Sequence, residues 1–217
     1  MYMYTNRGKA LYNELLKAGL TYEILRSLSY HTQLGKSLAN SLRHFDKELL
    51  FDDINKVINF YNNSEIMDEL AIDYRIKSED SCLRKYDKFY PDMRVEKTFN
   101  DVLGFRMLCD NYDGILNHDN IDKIRIVDMS QGKANDDGYR GVHLYFQLDH
   151  SHYPIEIQMN TYYDRQINNW LHKYLYKKNY PDDVGLKLRK LYENGKILNE
   201  NMFREVLQNV LPDCKRI

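Results

Sequence analysis

The sequence predicts an α+β protein: a mixed, mostly antiparallel β-sheet flanked by helices, with further helices at both ends. Three observations lead there. Helical periodicity governs the first sixty residues and returns after residue 161. Between them, short β-rich runs alternate strictly between apolar and polar side chains. A composition of 43% hydrophobic and 29% charged residues over 217 positions supplies an ordinary core, which excludes a disordered chain and a disulfide-stapled miniprotein. The reading divides the chain into an N-terminal helical region (1–69), a mixed core (70–178) and a C-terminal helical extension (179–217), together one globular unit.

Leu11, Leu15, Ala18, Tyr22 and Leu25 recur at helical spacing and predict a helix that Gly19 weakens. Leu50, Ile54, Val57, Ile58 and Tyr61 form a cleaner stripe, after which Asn62-Asn63-Ser64 breaks the helix and recaps the next. Phe105–Cys109 and Ile124–Asp128 are compact strand candidates. Residues 142–148 and 155–159 alternate: Val142, Leu144, Phe146 and Leu148 share a face to pack with Ile155, Ile157 and Met159. The opposite face carries His143, Tyr145, Gln147, Glu156 and Gln158, which suits the floor of a cleft as well as it suits an ordinary polar back. Thr161 caps a helix running to about Lys178, with Ile167, Trp170, Leu171 and Tyr174 as its core stripe and Pro181 at its end.

The net charge of -1 argues neither for nor against a nucleic-acid partner, but the charge is uneven. Residues 1–50 carry a local net of +3. From Arg165 to Lys196 there are eight Lys and Arg against three acids, a net of +5. Either segment reads as a solvated helix face or as a basic surface. No apolar run approaches the roughly 20 residues of a membrane span, and the N-terminus lacks the apolar stretch of a signal peptide. Cys82, Cys109 and Cys214 have no metal spacing and leave one unpaired in any disulfide scheme. The expectation is a cytoplasmic protein without a membrane partner.

Three stretches carry the chemistry. In Tyr74–Lys85, alternation puts Arg75 and Lys77 on one side of a short strand, Ser78 caps a helix, and Ser81 and Lys85 lie one turn apart on it. Cations and a hydroxyl beside a helix N-terminus suit a polyphosphate, although an exposed basic strand has the same pattern. No glycine-rich run precedes a Lys-Ser/Thr pair, so this is not a Walker loop. Asp101 stands just before a strand that contains Arg106, and together with Glu156 it has the chemistry to hold Mg²⁺; spacing alone does not show that the two carboxylates meet. Finally, Gly132–Gly141 is a glycine- and acid-rich loop in which Tyr139 offers a ring for base stacking, or a turn tyrosine to pack on the sheet edge.

Read in order, Arg75-x-Lys77-Ser78 with Ser81 and Lys85, Asp101-x-x-Gly104-x-Arg106, Lys133-x-Asn135 with Gly138-Tyr139-Arg140-x-x-His143, Glu156-Ile157-Gln158-x-x-Thr161 and His172-x-x-x-Tyr176 resemble the synthetase domain of the RelA/SpoT family. The resemblance covers about residues 70–178, half the chain, and is to the small stand-alone members. It implies a nucleotidyltransferase-like fold and a pyrophosphokinase that moves the β,γ-diphosphate of ATP onto a ribose 3′-hydroxyl. By matching motif, Arg75 and Arg106 would sandwich the adenine and Lys77, Ser81 and Lys85 would hold the phosphates. Asp101 and Glu156 would bind Mg²⁺, with Glu156 also drawing the proton from the attacking hydroxyl. Tyr139 would stack on the acceptor base, with Lys133, His143 and Gln158 lining the acceptor side.

Two departures bear on the acceptor. The family's Asp-Tyr-Ile…Pro-Lys is here Asp128-Met129-Ser130…Gly132-Lys133, and Asn160 stands where alarmone makers carry an Arg. The wording of Gly138–His143 and Asn168–His172 resembles the toxic small alarmone synthetases, some of which modify the tRNA 3′ end and are neutralised by a protein antitoxin. The expected acceptor is therefore the tRNA terminal adenosine, met through a basic face of Arg165, Lys173, Lys177 and Lys178. GDP or GTP as acceptor, giving (p)ppGpp, and a catalytically silent binding module of the same fold are the alternatives. Homo-oligomerisation is left open.

Overall fold

In the computed structural model of the protein, which describes residues 8–117, 121–176, 178 and 180–214, Gly19 ends the first helix outright rather than weakening it. Helix α1 (Gly8–Lys17) stops, Gly19 takes a positive φ of 78°, and Thr21 caps α2 (Tyr22–Ser27) through an Oγ1 that accepts from the Ile24 amide at 3.1 Å. One periodic stripe thus spans two helices, because a glycine that can turn left and a threonine that can cap stand two residues apart.

The remaining elements follow in order. Helices α3 (Lys47–Asn62) and α4 (Glu65–Glu69) are separated by Asn63 and Ser64, where the break was expected. Strand β1 (Asp73–Ile76) leads into α5 (Glu79–Phe89) and α6 (Val95–Thr98). Strand β2 (Leu103–Cys109), α7 (Asp113–Leu116), β3 (Ile124–Asp128), β4 (Val142–Phe146) and β5 (Ile155–Thr161) come next. Helices α8 (Tyr162–Tyr174), α9 (Asp182–Glu193) and α10 (Glu200–Cys214) complete the chain. Helix α8 ends at Tyr174, four residues before the expected Lys178, and Pro181 caps α9 instead of closing α8. The strands form one mixed, mostly antiparallel sheet in the order β1-β2-β5-β4-β3, flanked by helices.

The chain divides into two compact units. The first comprises residues 1–107, 113–126 and 143–158. Its core draws on Leu11, Leu15, Leu50, Ile54, Val57, Phe105, Leu144, Phe146, Ile155 and Ile157, all buried. Its core also takes in an acid: Asp53 is 2% exposed and accepts from Thr32 Oγ1 at 2.6 Å, the Gln33 amide at 3.0 Å and Tyr153 Oη at 3.0 Å. Burying a carboxylate is tolerable only with its lone pairs occupied. Tyr153→Phe removes one donor without opening a cavity, so it is expected to cost about 1.5–3 kcal/mol by chemical denaturation. A loss below about 0.5 kcal/mol would mean that the remaining donors satisfy Asp53 by themselves.

The second unit comprises residues 108–112, 127–142 and 159–217. Ile167, Trp170 and Leu171 of α8, Val184, Leu188 and Tyr192 of α9, and Phe203 and Leu207 of α10 form its core. The helices present these residues at spacings of three and four, which is why a stripe read on α8 alone finds partners on two further helices.

Candidate active site

Strands β1 and β2 pair antiparallel, with Arg75 opposite Gly104 and Asp73 opposite Arg106. Directly paired residues share a face, so Arg75 and Arg106 stand diagonally on one side of the ribbon. That side opens into a pocket lined by Arg75, Asp101, Gly104, Arg106, Glu156 and Gln158, all from the first unit. Residues distant in sequence therefore line one cleft: both carboxylates, two guanidinium groups and an amide. Arg75 is exposed, while Arg106 is half-buried and lies 3.7 Å from Asp73.

Asp101 holds both lysines expected to meet phosphate. Lys77 Nζ makes a short ion pair to Oδ2, and Lys85 Nζ lies 2.8 Å from Oδ1. Lys77 follows the last residue of β1 and is only 5% exposed; its amide donates to the Val102 carbonyl at 2.8 Å, tying it to the start of β2. Burial pulls its pKa down, and Asp101 only partly offsets that. Burial also works against the charge on Asp101, but Lys85 and Lys77 outweigh it and hold the carboxyl below the usual range. Ser78 precedes α5 without a side-chain cap; its hydroxyl instead meets that of Ser81 at 2.9 Å, and Arg84 donates to Ser81 at 3.0 Å.

Glu156 sits in a second network on the polar face of β4 and β5. Its carboxylate takes Gln158 Nε2 at 2.8 Å, Tyr145 Oη at 3.1 Å and His143 Nδ1 at 3.0 Å. Arg125 stacks over the Tyr145 ring at 4.3 Å. Burial favours the protonated acid, nearby Asp101 does too, but His143 and Gln158 prevail and Glu156 is held below its ordinary range. Burial and the Glu156 charge push Tyr145 up, so it stays a neutral donor. The alternation read from sequence thus forms a cleft floor, with His143 and Gln158 gathered on Glu156.

Among the described residues, no group of three or more His, Cys, Asp and Glu is arranged to hold a metal ion. Two carboxylates in one pocket with phosphate-type cations instead fit Mg²⁺, which needs few protein ligands and takes the rest from phosphate and water.

The glycine-rich loop belongs to the second unit. Its acids shape it: Asp136 Oδ1 accepts from the Gly138 amide at 2.9 Å and Asp137 Oδ1 from the Tyr139 amide at 3.1 Å. The same acids neutralise its cations, Arg140 on Asp136 at 2.8 Å and Lys133 on Asp137 at 2.8 Å. Lys133 Nζ also stands 4.9 Å from the centre of the half-buried Tyr139 ring.

Residues 74–180 match the family model described as a region found in RelA / SpoT proteins. This segment belongs to the RelA/SpoT family. The match supports pyrophosphokinase activity of the RelA/SpoT type. None of the curated proteins matches the sequence. Among solved structures, the chain is similar to small alarmone synthetase 1 from Bacillus subtilis bound to its product pppGpp, at 24% identity over 75% of this chain and 91% of that one, with a TM-score of 0.41. Small alarmone synthetase 2 from the same organism is similar at 20% identity over 78% and 92%, with a TM-score of 0.39. A GTP pyrophosphokinase family protein from Streptococcus pneumoniae is similar at 19% over 76% and 88%, with a TM-score of 0.37.

Beyond the pocket, the basic segment that begins inside the RelA/SpoT region and runs past it is less uniform than its sequence. Lys173 is exposed but paired with Glu200 of α10 at 2.6 Å, and Lys187 pairs with Asp183 at 2.9 Å. Arg189 is no surface charge at all: it is 0% exposed and bonded to Asp164. Arg165 is half-buried, Lys178 is exposed, and Lys177 lies outside the described residues. Sequence reading missed Tyr145 as a donor to Glu156, although it had placed the residue on the right face. It also missed that Asp164, Asn168 and Arg189 meet, which only folding brings about. No described helix is long and apolar enough to cross a membrane.

Proposed function

We propose that the protein is an ATP-dependent, Mg²⁺-requiring pyrophosphokinase whose acceptor is the 3′-hydroxyl of the tRNA terminal adenosine, so that it blocks aminoacylation and acts as a translation-inhibiting toxin with a protein antitoxin as partner. The hydroxyl oxygen bonds to the β-phosphorus of ATP, the α–β bridging P–O bond breaks, and AMP leaves. The hydroxyl proton passes to a base, for which Glu156 is held ionised. Arg75 and Arg106 flank the adenine, and Lys77, Lys85 and Ser81 exchange their present partners for phosphate oxygens. Asp101 and Glu156 would hold Mg²⁺, which offsets charge on the transferring group. Such transfer needs positioning and charge neutralisation more than covalent help.

The observation that carries the acceptor is the charge balance of the loop. Lys133 and Arg140 are each paired with an acid of the same loop, and Asn160 is 1% exposed with its amide given to the Arg140 carbonyl at 2.9 Å. That leaves little cationic charge for an acceptor bearing its own 5′-di- or triphosphate, whereas a tRNA 3′ end presents a base and a hydroxyl, with further phosphates for Lys178, Arg165 and their neighbours. Incubation with γ-labelled ATP and GDP, GTP or bulk tRNA separates the readings, since the γ-phosphate travels with the transferred group. Label is expected on tRNA, with binding that weakens as salt rises by a log–log slope of about -0.7 to -0.9 per phosphate contact. Label on GDP or GTP would assign alarmone synthesis instead, and no label on any acceptor would leave a binding module.

A further inference from the structure

We infer that Arg189 and Gly185, on α9 and outside the matched RelA/SpoT segment, are positioning residues that hold the backbone on both sides of Tyr139 and so fix the ring presented to the acceptor. The inference rests on the reading of Tyr139 as the platform for the acceptor base.

The guanidinium of Arg189 is fully buried and every nitrogen is used. Nε donates to the Gly138 carbonyl at 2.8 Å, one terminal nitrogen to Asp164 Oδ1 at 2.7 Å, and the other to Asn168 Oδ1 at 3.0 Å. Asn168 extends the hold past Tyr139: its Nδ2 donates to the Arg140 carbonyl at 2.6 Å and its Oδ1 accepts from the Arg140 amide at 3.3 Å. Asp164 is fixed in turn by Tyr112 Oη at 2.7 Å and Thr161 Oγ1 at 2.9 Å. Peptide groups on either side of Tyr139 are therefore tied to a rigid planar fork, which a flexible ammonium would not reproduce.

Gly185 completes the clamp. Gly138 has a φ of 86°, and a Cβ there would stand 2.4 Å from the Gly185 carbonyl oxygen; a Cβ on Gly185 would stand 1.9 Å from that of Asp137. Helix and loop touch backbone to backbone, which only two facing glycines permit. A buried ion pair that served stability alone would have no need to reach the loop carbonyl. Stacking on a base depends on where the ring plane lies, so this clamp bears on acceptor affinity.

The test compares Gly185→Ala, Arg189→Lys and Tyr139→Ala in the full chain, with bulk tRNA as acceptor, or GDP if that takes the label. Gly185→Ala keeps every side chain and parts the helix from the loop; Arg189→Lys keeps the charge for Asp164 and loses the fork. Both are expected to raise the acceptor KM about tenfold while the ATP KM stays within twofold, and to speed hydrogen exchange at the amides of 138–141 about tenfold without ligand. Tyr139→Ala should raise the acceptor KM about tenfold to a hundredfold and leave the exchange on either side of it slow. If Tyr139→Ala acts on the acceptor and neither clamp variant does, the clamp is overturned. If Tyr139→Ala leaves the acceptor KM unchanged, the stacking reading falls and takes the acceptor role of the clamp with it.

Discussion

Replacing Glu156 with Gln is expected to abolish pyrophosphoryl transfer to any acceptor, by at least about a thousandfold, while ATP still binds. Gln has the shape of Glu, so the packing around β5 survives. What disappears is the negative charge opposed by His143 at 3.0 Å and sharing a pocket with Asp101. A metal ion held there would contribute several kcal/mol of charge stabilisation, and each 1.36 kcal/mol is tenfold in rate. Asp101→Asn should be as inactive but less clean, because it strips the counter-charge from a nearly buried Lys77 and from Lys85. The acid side of the pH profile adds a second check. The folded pKa of Glu156 lies below that of an ordinary Glu, so the ionised form persists as pH falls and activity should fade only below the usual Glu range. Single-turnover transfer across a Mg²⁺ titration measures both, and near-wild-type turnover of Glu156→Gln at ordinary Mg²⁺ would remove Glu156 from the reaction.

Arg189→Met should destabilise the second unit by about 3–5 kcal/mol, the cost of leaving the other member of a buried pair without its counter-charge. Asp164 would lose the cation bonded to it, and the Gly138 carbonyl and Asn168 each a donor. At about 2–4 °C per kcal/mol for a chain of this size, the melting temperature should drop on the order of 10 °C. Trp170 is the single tryptophan and sits in the core of α8–α10, so its fluorescence reports that unit directly. Adding Asp164→Asn to Arg189→Met should recover part of the loss, since no uncompensated charge is then buried. A single variant that melts within 2 °C of wild type would show that water reaches the pair.

Much of this protein was written locally. The alternation over 142–148 and 155–159, the capping Thr161 and the breaking Asn62-Asn63-Ser64 act between neighbours in the chain, so the strands, their faces and the start of α8 were legible residue by residue, although β4 stops at Phe146 and α3 includes Asn62. Motif order was enough to identify the RelA/SpoT segment and to name Asp101, Glu156, Arg75 and Arg106, although not to show that they share a pocket. Other features depended on approach between distant residues. Whether Gly19 bends or ends a helix rests on its backbone angle and on the cap that follows. Whether Arg189 is a solvated cation or a buried strut rests on Asp164 and Gly138, 25 and 51 residues away. The alternation put Tyr145 on the same face as Glu156, but only the pairing of β4 with β5 set its hydroxyl against that carboxylate. The sequence by itself determined the strands, their polar faces and the family of the central segment, since these follow from propensity, periodicity and motif. Only the tertiary structure decided which charges neutralise one another, because Coulomb attraction and desolvation depend on distance through space and carry no mark of separation along the chain.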